Sequence, residues 1–342
     1  MQGIKEGVAG IATELPGLPQ FAGLRLRACR GVEDLPALYA ANMASSSADG
    51  IESGSTLQDF THYYSHLVHC DLQRDLLVAE VEGRVIGYAR TEWAQEAATG
   101  TYLYNHFGCL VPEHRRRGIG TAMLRIIEER IRRVSEEHGH SGARFFQDFA
   151  NHKQTGTIAL LEAQGYTVRS RSVQMLRPDA AHVPDLPLPE GIEIRPAHRE
   201  HWRALIDAHF EAFREHPGFR EPTEEDIQRW VSSRFWQPEM WIVAWDGDRI
   251  AGSILSFIDQ EENEKYGRLR GYTEDISVVK EYRRRGLARA MLARAIRRLH
   301  AAGMTETTLF VHTQNPTGAY RLYEGMGYAV IDETIIYHKP LA

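Results

Sequence analysis

Residues 278–291 read VVKEYRRRGLARAM, and residues 110–123 read LVPEHRRRGIGTAM. Each stretch ends a run that alternates like a strand and opens a run with helical spacing. Between the two runs lie three arginines and a glycine: Arg283, Arg284, Arg285 and Gly286 in one copy, Arg115, Arg116, Arg117 and Gly118 in the other. Cations at a helix N-terminus oppose the helix dipole, at a cost of up to roughly 1 kcal/mol each. The arrangement becomes favourable when an anion sits in the turn. Free N–H groups of the first helical turn then donate to it, and the glycine lets it approach the backbone. A phosphate or pyrophosphate fits that description. One such patch reads as a solvated face; two, set 168 positions apart (115 to 283) at equivalent junctions, read as a duplicated site.

The rest of the chain repeats at similar spacing. After an irregular lead-in over 1–22, where Pro16 and Pro19 oppose a helix, a strand is expected at 24–29 and helices at 32–43 and 57–69. A hairpin follows at 76–88, then a strand at 101–111 entering the first arginine turn. The helix beyond it places Met123, Leu124, Ile127, Ile131 and Val134 on one face and stops at Gly139. A strand (144–149), a helix (155–164) and a last strand (166–175) complete this half. Residues 177–190 carry four prolines and are expected to form an extended linker. The same order then recurs: strand 192–194, helices 201–213 and 224–235, a hairpin over 241–257 turning at 246–248, and a strand at 272–279. A helix (287–302), a strand (307–312), a helix (316–325) and a strand (328–337) close the chain. Gly87 and Gly252 match in the hairpins, as do Gly165-Tyr166 and Gly327-Tyr328 before the last strands. The chain is therefore read as a lead-in (1–22), a first domain (23–177), a linker (178–190) and a second domain (191–342), an internal duplication.

Bulk properties restrict the function. The 342 residues suit two domains. A composition of 43% apolar and 25% charged residues is that of a globular protein, and a net charge of −6 argues against nucleic acid as a partner. No apolar run approaches a membrane span, and residues 1–20 make a poor signal peptide. The three cysteines, Cys29, Cys70 and Cys109, are odd in number and widely spaced, which fits a reducing cytoplasm and no metal site.

The Arg-x-x-Gly-x-(Gly/Ala) turn resembles the coenzyme A pyrophosphate loop of the GCN5-related N-acetyltransferase (GNAT) superfamily. Arg115, Gly118 and Gly120 match in the first copy, and Arg283, Gly286 and Ala288 in the second. The element order of both halves is similar to that family's. The resemblance implies two tandem α/β (α+β) domains, each a mixed, mainly antiparallel sheet flanked by helices and split open where acyl-CoA wedges in. It implies acetyl-CoA or another short acyl-CoA as cosubstrate. The cradles would be formed by Leu110, Val111, Arg115, Arg116, Arg117, Gly118, Ile119 and Gly120, and by Val278, Val279, Arg283, Arg284, Arg285, Gly286, Leu287, Ala288 and Arg289.

The stretch TQNPTGAYRLYEGMGY (313–328) resembles the family's run beside the coenzyme thiol, with Asn315, Leu322, Tyr323, Gly327 and Tyr328 matching. This implies that Asn315 contacts the coenzyme and that Tyr323 protonates the departing thiolate, a transfer between groups of similar pKa. Tyr323 could instead only pack its ring. In GYTEDISVV (271–279), Glu274 is in phase with apolar Ile276 and Val278, where desolvation raises a carboxylate toward a base's working range. Glu274 is the expected base, with Asp275 or a water as alternatives; both acids could instead cap or pair with arginines. The N–H near Val278 is the expected oxyanion donor. In the first half Leu161 falls opposite Tyr323, Lys153 opposite Asn315, and His106 opposite Glu274. That half should keep a cradle and lack the acid.

The acceptor is expected to be a small-molecule primary amine, bound among His209, Phe210, Phe213, His216, Phe219 and Trp230. Acids at Glu221, Glu224, Glu225, Asp226, Asp259, Glu261, Glu262 and Glu264 would favour a cation there. The duplicated layout is similar to that of the mycothiol synthase family, which implies a cysteinyl amino-sugar as one acceptor. A non-catalytic acyl-CoA sensor is the other class left open, and a monomer or homodimer is expected, with neither nucleic acid nor membrane as partner.

Overall fold

The computed structural model describes residues 7–14, 19, 22–139, 142–216, 218–315 and 318–341. Its elements in chain order begin with α1 (Val8–Glu14), β1 (Leu24–Ala28), α2 (Leu35–Ala48), α3 (Leu57–Ser65), α4 (Leu72–Asp75), β2 (Leu76–Val81), β3 (Arg84–Gln95) and β4 (Tyr102–Leu110). Then come α5 (Ile119–His138), β5 (Arg144–Asn151), α6 (Thr155–Ala163) and β6 (Thr167–Arg177). The second half supplies β7 (Ile192–Ile194), α7 (Trp202–Phe213), α8 (Glu224–Val231), β8 (Ile242–Asp246), β9 (Arg249–Ile254) and β10 (Phe257–Ile258). It ends with α9 (Gln260–Tyr266), β11 (Arg270–Tyr272), β12 (Ser277–Val278), α10 (Leu287–Ala301), β13 (Glu306–His312), α11 (Ala319–Glu324) and β14 (Ala329–Pro340).

These elements form two compact units that are not sequential halves: residues 1–169 with 334–342, and residues 170–333. In the first unit the strand order is β1-β2-β3-β4-β5-β14. The closing strand comes from the end of the chain, with Thr334 to Pro340 antiparallel to Asn151 to Phe145. Ile335, Tyr337 and Leu341 join a core built on α5, β4 and β5. In the second unit one sheet runs β7-β8-β9-β12 and the other β10-β11-β13-β6. Its closing strand is encoded in the first half: Ser172 to Arg177 of β6 pairs with His312 to Thr307, and Val173 and Met175 enter the core around α10. The expected division into 23–177 and 191–342 assigns each closing strand to the half that encodes it, and here the fold differs. Two strands following near-identical Gly-Tyr turns fit equivalent edges, so local sequence does not choose between them.

Two further expectations change. The lead-in contains α1, whose Val8 and Ile11 are fully buried; Pro16, invoked against a helix, lies outside the described residues, and Pro19 falls after the helix ends. Residues 178–190 have no helix or strand but lie against the second unit. Ala180 N–H donates to the Thr305 carbonyl (2.9 Å), and the Leu186 and Pro184 carbonyls accept from Arg294 (2.9 Å) and Arg297 (2.8 Å) on α10. Prolines cannot donate, and against α10 the segment is held through its carbonyls. Among the described residues no helix is long and apolar enough to cross a membrane.

Each unit opens its sheet at one place. β4 pairs with β3 along its length but with β5 only from Tyr102↔Arg144 to Asn105↔Gln147. β11 runs parallel to β13 from Arg270↔Glu306 to Tyr272↔Thr308; the chain then changes partner, and β12 pairs with β9 through Ser277↔Ser253 and Val278↔Gly252. The expected continuous strand at 272–279 is therefore broken. Asp275 takes a left-handed conformation (φ 51°), rare for a non-glycine residue, and interrupts the alternation there. Gly252 is required by close approach, since a Cβ there would stand 2.6 Å from the Ser277 carbonyl oxygen.

Candidate active site

The two arginine turns have the same backbone. Arg116 (φ 61°) and Gly118 (φ 81°) are left-handed in one, Arg284 (φ 60°) and Gly286 (φ 83°) in the other. Gly118 and Gly286 are the N-caps of α5 and α10 and provide no side-chain cap. The first intrahelical bonds run from Ala122 to Gly118 (3.0 Å) and from Ala290 to Gly286 (3.1 Å). The N–H groups of Ile119, Gly120 and Thr121, and of Leu287, Ala288 and Arg289, precede those bonds and have no intrahelical acceptor. A Cβ on Gly286 would project into open space, so there the conformation, and not crowding, demands glycine. Exposed Arg116 and Arg117, and Arg284 and Arg285, flank these donors. In both units these donors could hold an anion, and the donor set fits a diphosphate.

The first arginine of each triplet has a different task from the one expected of it. Arg283 donates from Nε to the Val278 carbonyl (3.0 Å), from Nη2 to the Ala212 carbonyl (2.9 Å) and from Nη1 to Glu215 (2.7 Å). Arg115 repeats the pattern with the Leu110 carbonyl (2.9 Å), the Ser45 carbonyl (3.1 Å) and Asp49 (2.6 Å). All the guanidinium nitrogens face protein acceptors, so Arg115 and Arg283 tether the turn to the strand before it and to the end of α2 or α7. The spacing of Asp49 and Glu215 relative to their arginines is nearly equal in the two halves. That is the one signal from which the tether was legible.

The open seam of the second unit brings together most of the residues singled out there. Val279 N–H donates to the Ala251 carbonyl (3.0 Å), so in an alternating ladder the Val278 N–H points the other way, into the seam. Tyr323 on α11 is 7% exposed, and among the described residues its hydroxyl has no hydrogen-bond partner. Burial, then the nearby Glu274 and Tyr328, push that phenol above its ordinary range. Glu274 accepts the Phe310 N–H (2.8 Å), a group that β13 exposes at the seam. Burial and the adjacent Asp275 raise the Glu274 carboxyl well above the carboxylate range, although the Phe310 hydrogen bond works against this. Asp275 is pushed up to about 6 by burial and has no hydrogen bond among the described residues. Its nearest cationic-type neighbour is His209 Nε2, 3.7 Å away. Asn315 lies on the loop before α11 and reaches His216 Nε2 through its amide nitrogen (3.1 Å); the first two positions of the helix expected from 316 lie outside the described residues.

The first unit differs at the same places. A cleft of about 520 Å³ runs from Gly118 and Gly120 along 107–110 to His106, Asp148 and Leu161. Leu161 is buried where the other unit has Tyr323. His106 is fully satisfied: Nδ1 meets Asp148 (2.9 Å) and Nε2 meets the Tyr166 hydroxyl (2.8 Å), which donates to Glu128 (2.9 Å), itself paired with Lys339 (2.7 Å). The direct 168-residue offset misaligns one residue here. Tyr166 bonds His106, whereas the matching Tyr328 bonds Thr273 (2.9 Å). Thr273 is therefore the counterpart of His106, and the residue inserted at the Asp275 kink restores the offset by Val278.

The acids expected to attract a cation are largely neutralised by arginines. Thr223 caps α8 by accepting the Asp226 N–H, and the Asp226 carboxylate accepts both arms of Arg220 (2.6 and 2.5 Å). Burial works to raise its pKa, but these partners hold it well below the usual carboxylate range. Asp259 pairs with Arg234 (2.8 Å), Glu262 with Arg268, and Glu221 with Arg214 (3.0 Å). Asp259 is the N-cap of α9, a helix absent from the expected hairpin, and Glu261, Glu262 and Glu264 lie on that helix.

Comparison with known proteins is consistent with this geometry. Residues 202–328 match the model described as Acetyltransferase (GNAT) family, and residues 73–168 match that described as Acetyltransferase (GNAT) domain. Mycothiol acetyltransferase of Geodermatophilus obscurus is 29% identical over 259 residues, 75% of this chain and 79% of that protein. The Frankia casuarinae mycothiol acetyltransferase is 26% identical over 265 residues, covering 75% of this chain and 72% of its own. Among solved structures, a GCN5-related N-acetyltransferase from Sphaerobacter thermophilus superposes with a TM-score of 0.70 at 25% identity, covering 95% of this chain and 97% of that one. A tandem GNAT protein from the clavulanic acid biosynthesis pathway shares the fold, with a TM-score of 0.62 at 14% identity and coverage of 93% and 98%.

Proposed function

Because both halves of this chain belong to the GNAT family of acyl-CoA-dependent N-acetyltransferases, we propose that the second unit moves an acetyl or short acyl group to a primary amine, while the first holds coenzyme without turnover. One contrast within the chain carries this reading. The second unit joins a cradle, an open seam, a Tyr323 side chain that is buried as a whole and has no hydrogen bond among the described residues, and two perturbed carboxylates. The first has the cradle and cleft, but Leu161 and a satisfied His106 in place of the chemistry.

The roles follow from the residues. Bound acyl-CoA would supply the activated thioester, with its diphosphate on Arg284, Arg285 and the N–H groups of 287–289. The Val278 N–H stabilises the oxyanion that develops as the amine adds. Adjacent Glu274 and Asp275 titrate as a pair. Burial raises both carboxyls, and Glu274 is raised further by the adjacent Asp275, so the pair is placed to take the ammonium proton, with Asp275 as the first receiver. Tyr323, kept protonated by burial, gives its proton to the departing thiolate. The same burial raises the thiolate's basicity, which brings the two groups toward each other.

A pH profile and an acceptor panel test the assignment. With acetyl-CoA and a panel of primary amines, kcat/KM is expected to rise as pH passes through about 6, where Asp275 loses its proton. Asp275→Asn should lower it by roughly 10²-fold or more and remove that limb. Failure to release free thiol with any amine would replace the enzyme reading with acyl-CoA sensing. The amine of a cysteinyl amino-sugar is the first acceptor to include, given the mycothiol acetyltransferase relatives.

A further inference from the structure

On α7, His209 is 6% exposed, and its ring is enclosed by Phe213 (4.6 Å between centroids), Trp230 (5.0 Å) and Phe210 (5.2 Å). Its Nδ1 is buried and has no hydrogen-bond partner among the described residues. Its Nε2 faces Asp275 Oδ1 at 3.7 Å, beyond hydrogen-bond range. Asp275 stands on the left-handed kink and, like His209, has no hydrogen bond among the described residues. The Asp275 side chain is 38% exposed at the seam, so Nε2 and the carboxylate face each other across a gap open to a ligand, which a group with several donors can bridge.

We propose that the acceptor's ammonium group docks between Asp275 and His209, making this pair the amine-recognition subsite of the second unit. The inference rests on the reading that this unit transfers an acyl group to an amine. An ammonium carries three donors and no acceptor, so it can serve the carboxylate and the imidazole lone pair together. The aromatic enclosure keeps the imidazole neutral: burial pushes His209 down to about 3, so it accepts a proton donor and does not repel a cation. The ligand class is a primary ammonium. A quaternary ammonium has no N–H and cannot bridge the pair, and a hydroxyl brings one donor and no charge. His209 thereby acts as a specificity residue, and it delivers the amine to the carboxylate that removes its proton.

The test is binding, which needs no turnover. Ethylammonium is titrated into the full chain while the His209 imidazole signals, assigned by difference from His209→Gln, are followed by NMR; tetramethylammonium is the control. The expected result is saturable movement of those signals with ethylammonium alone. Affinity should weaken at least tenfold in His209→Phe, which keeps the packing, and in Asp275→Asn, with partial recovery in His209→Gln. Melting temperature and acetyl-CoA affinity should match the unmodified chain. Signals that ignore both ions, respond equally to both, or lose nothing in His209→Phe would overturn the proposal. Ethylammonium binding as described, together with no acyl transfer to any amine, would instead retain the subsite and sink the transfer reading.

Discussion

Replacing Tyr323 with phenylalanine lowers kcat by 10²- to 10⁴-fold, about 3–5 kcal/mol of transition-state stabilisation, the usual worth of a positioned acid. The acetyl-CoA KM should change little, because the ring keeps its place in the core and its edge-on contact with Tyr328 at 6.2 Å. Among the described residues the hydroxyl has no hydrogen-bond partner, so its removal orphans no group there and little stability is lost. Steady-state kinetics beside a thermal melt separate these effects. A variant that melts normally and turns over normally would return Tyr323 to a packing role. Converting Leu161 to tyrosine should not rescue the first unit, since His106 and Asp148 there are already committed to Tyr166, Glu128 and Lys339.

Ending the chain after Glu333 should remove the first unit from the folded population. The deleted residues supply seven register positions against β5 and bury Ile335, Ile336, Tyr337 and Leu341. At roughly 1.5–3 kcal/mol for each buried side chain, the loss is about 6–12 kcal/mol. That is comparable with the whole stability of a typical domain, about 5–15 kcal/mol. Lys339 leaves as well, so Glu128, buried in the network with Tyr166, loses one of its two cationic partners and keeps Arg132. Limited proteolysis should cut within 1–169 while residues 170–333 persist, because their own closing strand comes from 172–177. Fragments cut at 177 and 190, the boundary that the prolines suggest, should each fold poorly, since each lacks its closing strand. Equal protease resistance of the truncated and full chains would contradict the exchange.

Much of the site was legible in the sequence because it depends on local grammar. An arginine-glycine turn between a strand and a helix reads as a cradle, its second copy reads as a duplication, Glu274 is singled out by its phase with Ile276 and Val278, and Tyr323 by the resemblance of 313–328 to the family's run. What escaped depends on partners distant in the chain. Nothing between 167 and 177 or between 329 and 340 says which sheet each strand closes. Arg283 looks like a phosphate ligand until the carbonyl of Ala212 and the carboxylate of Glu215 are seen around it. The left-handed turn at Asp275 carries no glycine to announce it, so alternation was extended through a kink that turns Asp275 toward His209. The acidic run beyond Glu221 suggested a cation site, and pairing with Arg214, Arg220 and Arg234 removes that meaning.

The most direct test counts coenzyme and acetyl transfer together. Native mass spectrometry of the full chain with acetyl-CoA should find two coenzymes bound, one for each cradle. The double reversal Arg284→Glu with Arg285→Glu, which leaves the Arg283 tether intact, should reduce the count to one and abolish amine-dependent thiol release. Thiol release persisting at the unmodified rate in that variant would contradict the account, because the chemistry would then lie outside the second unit's seam.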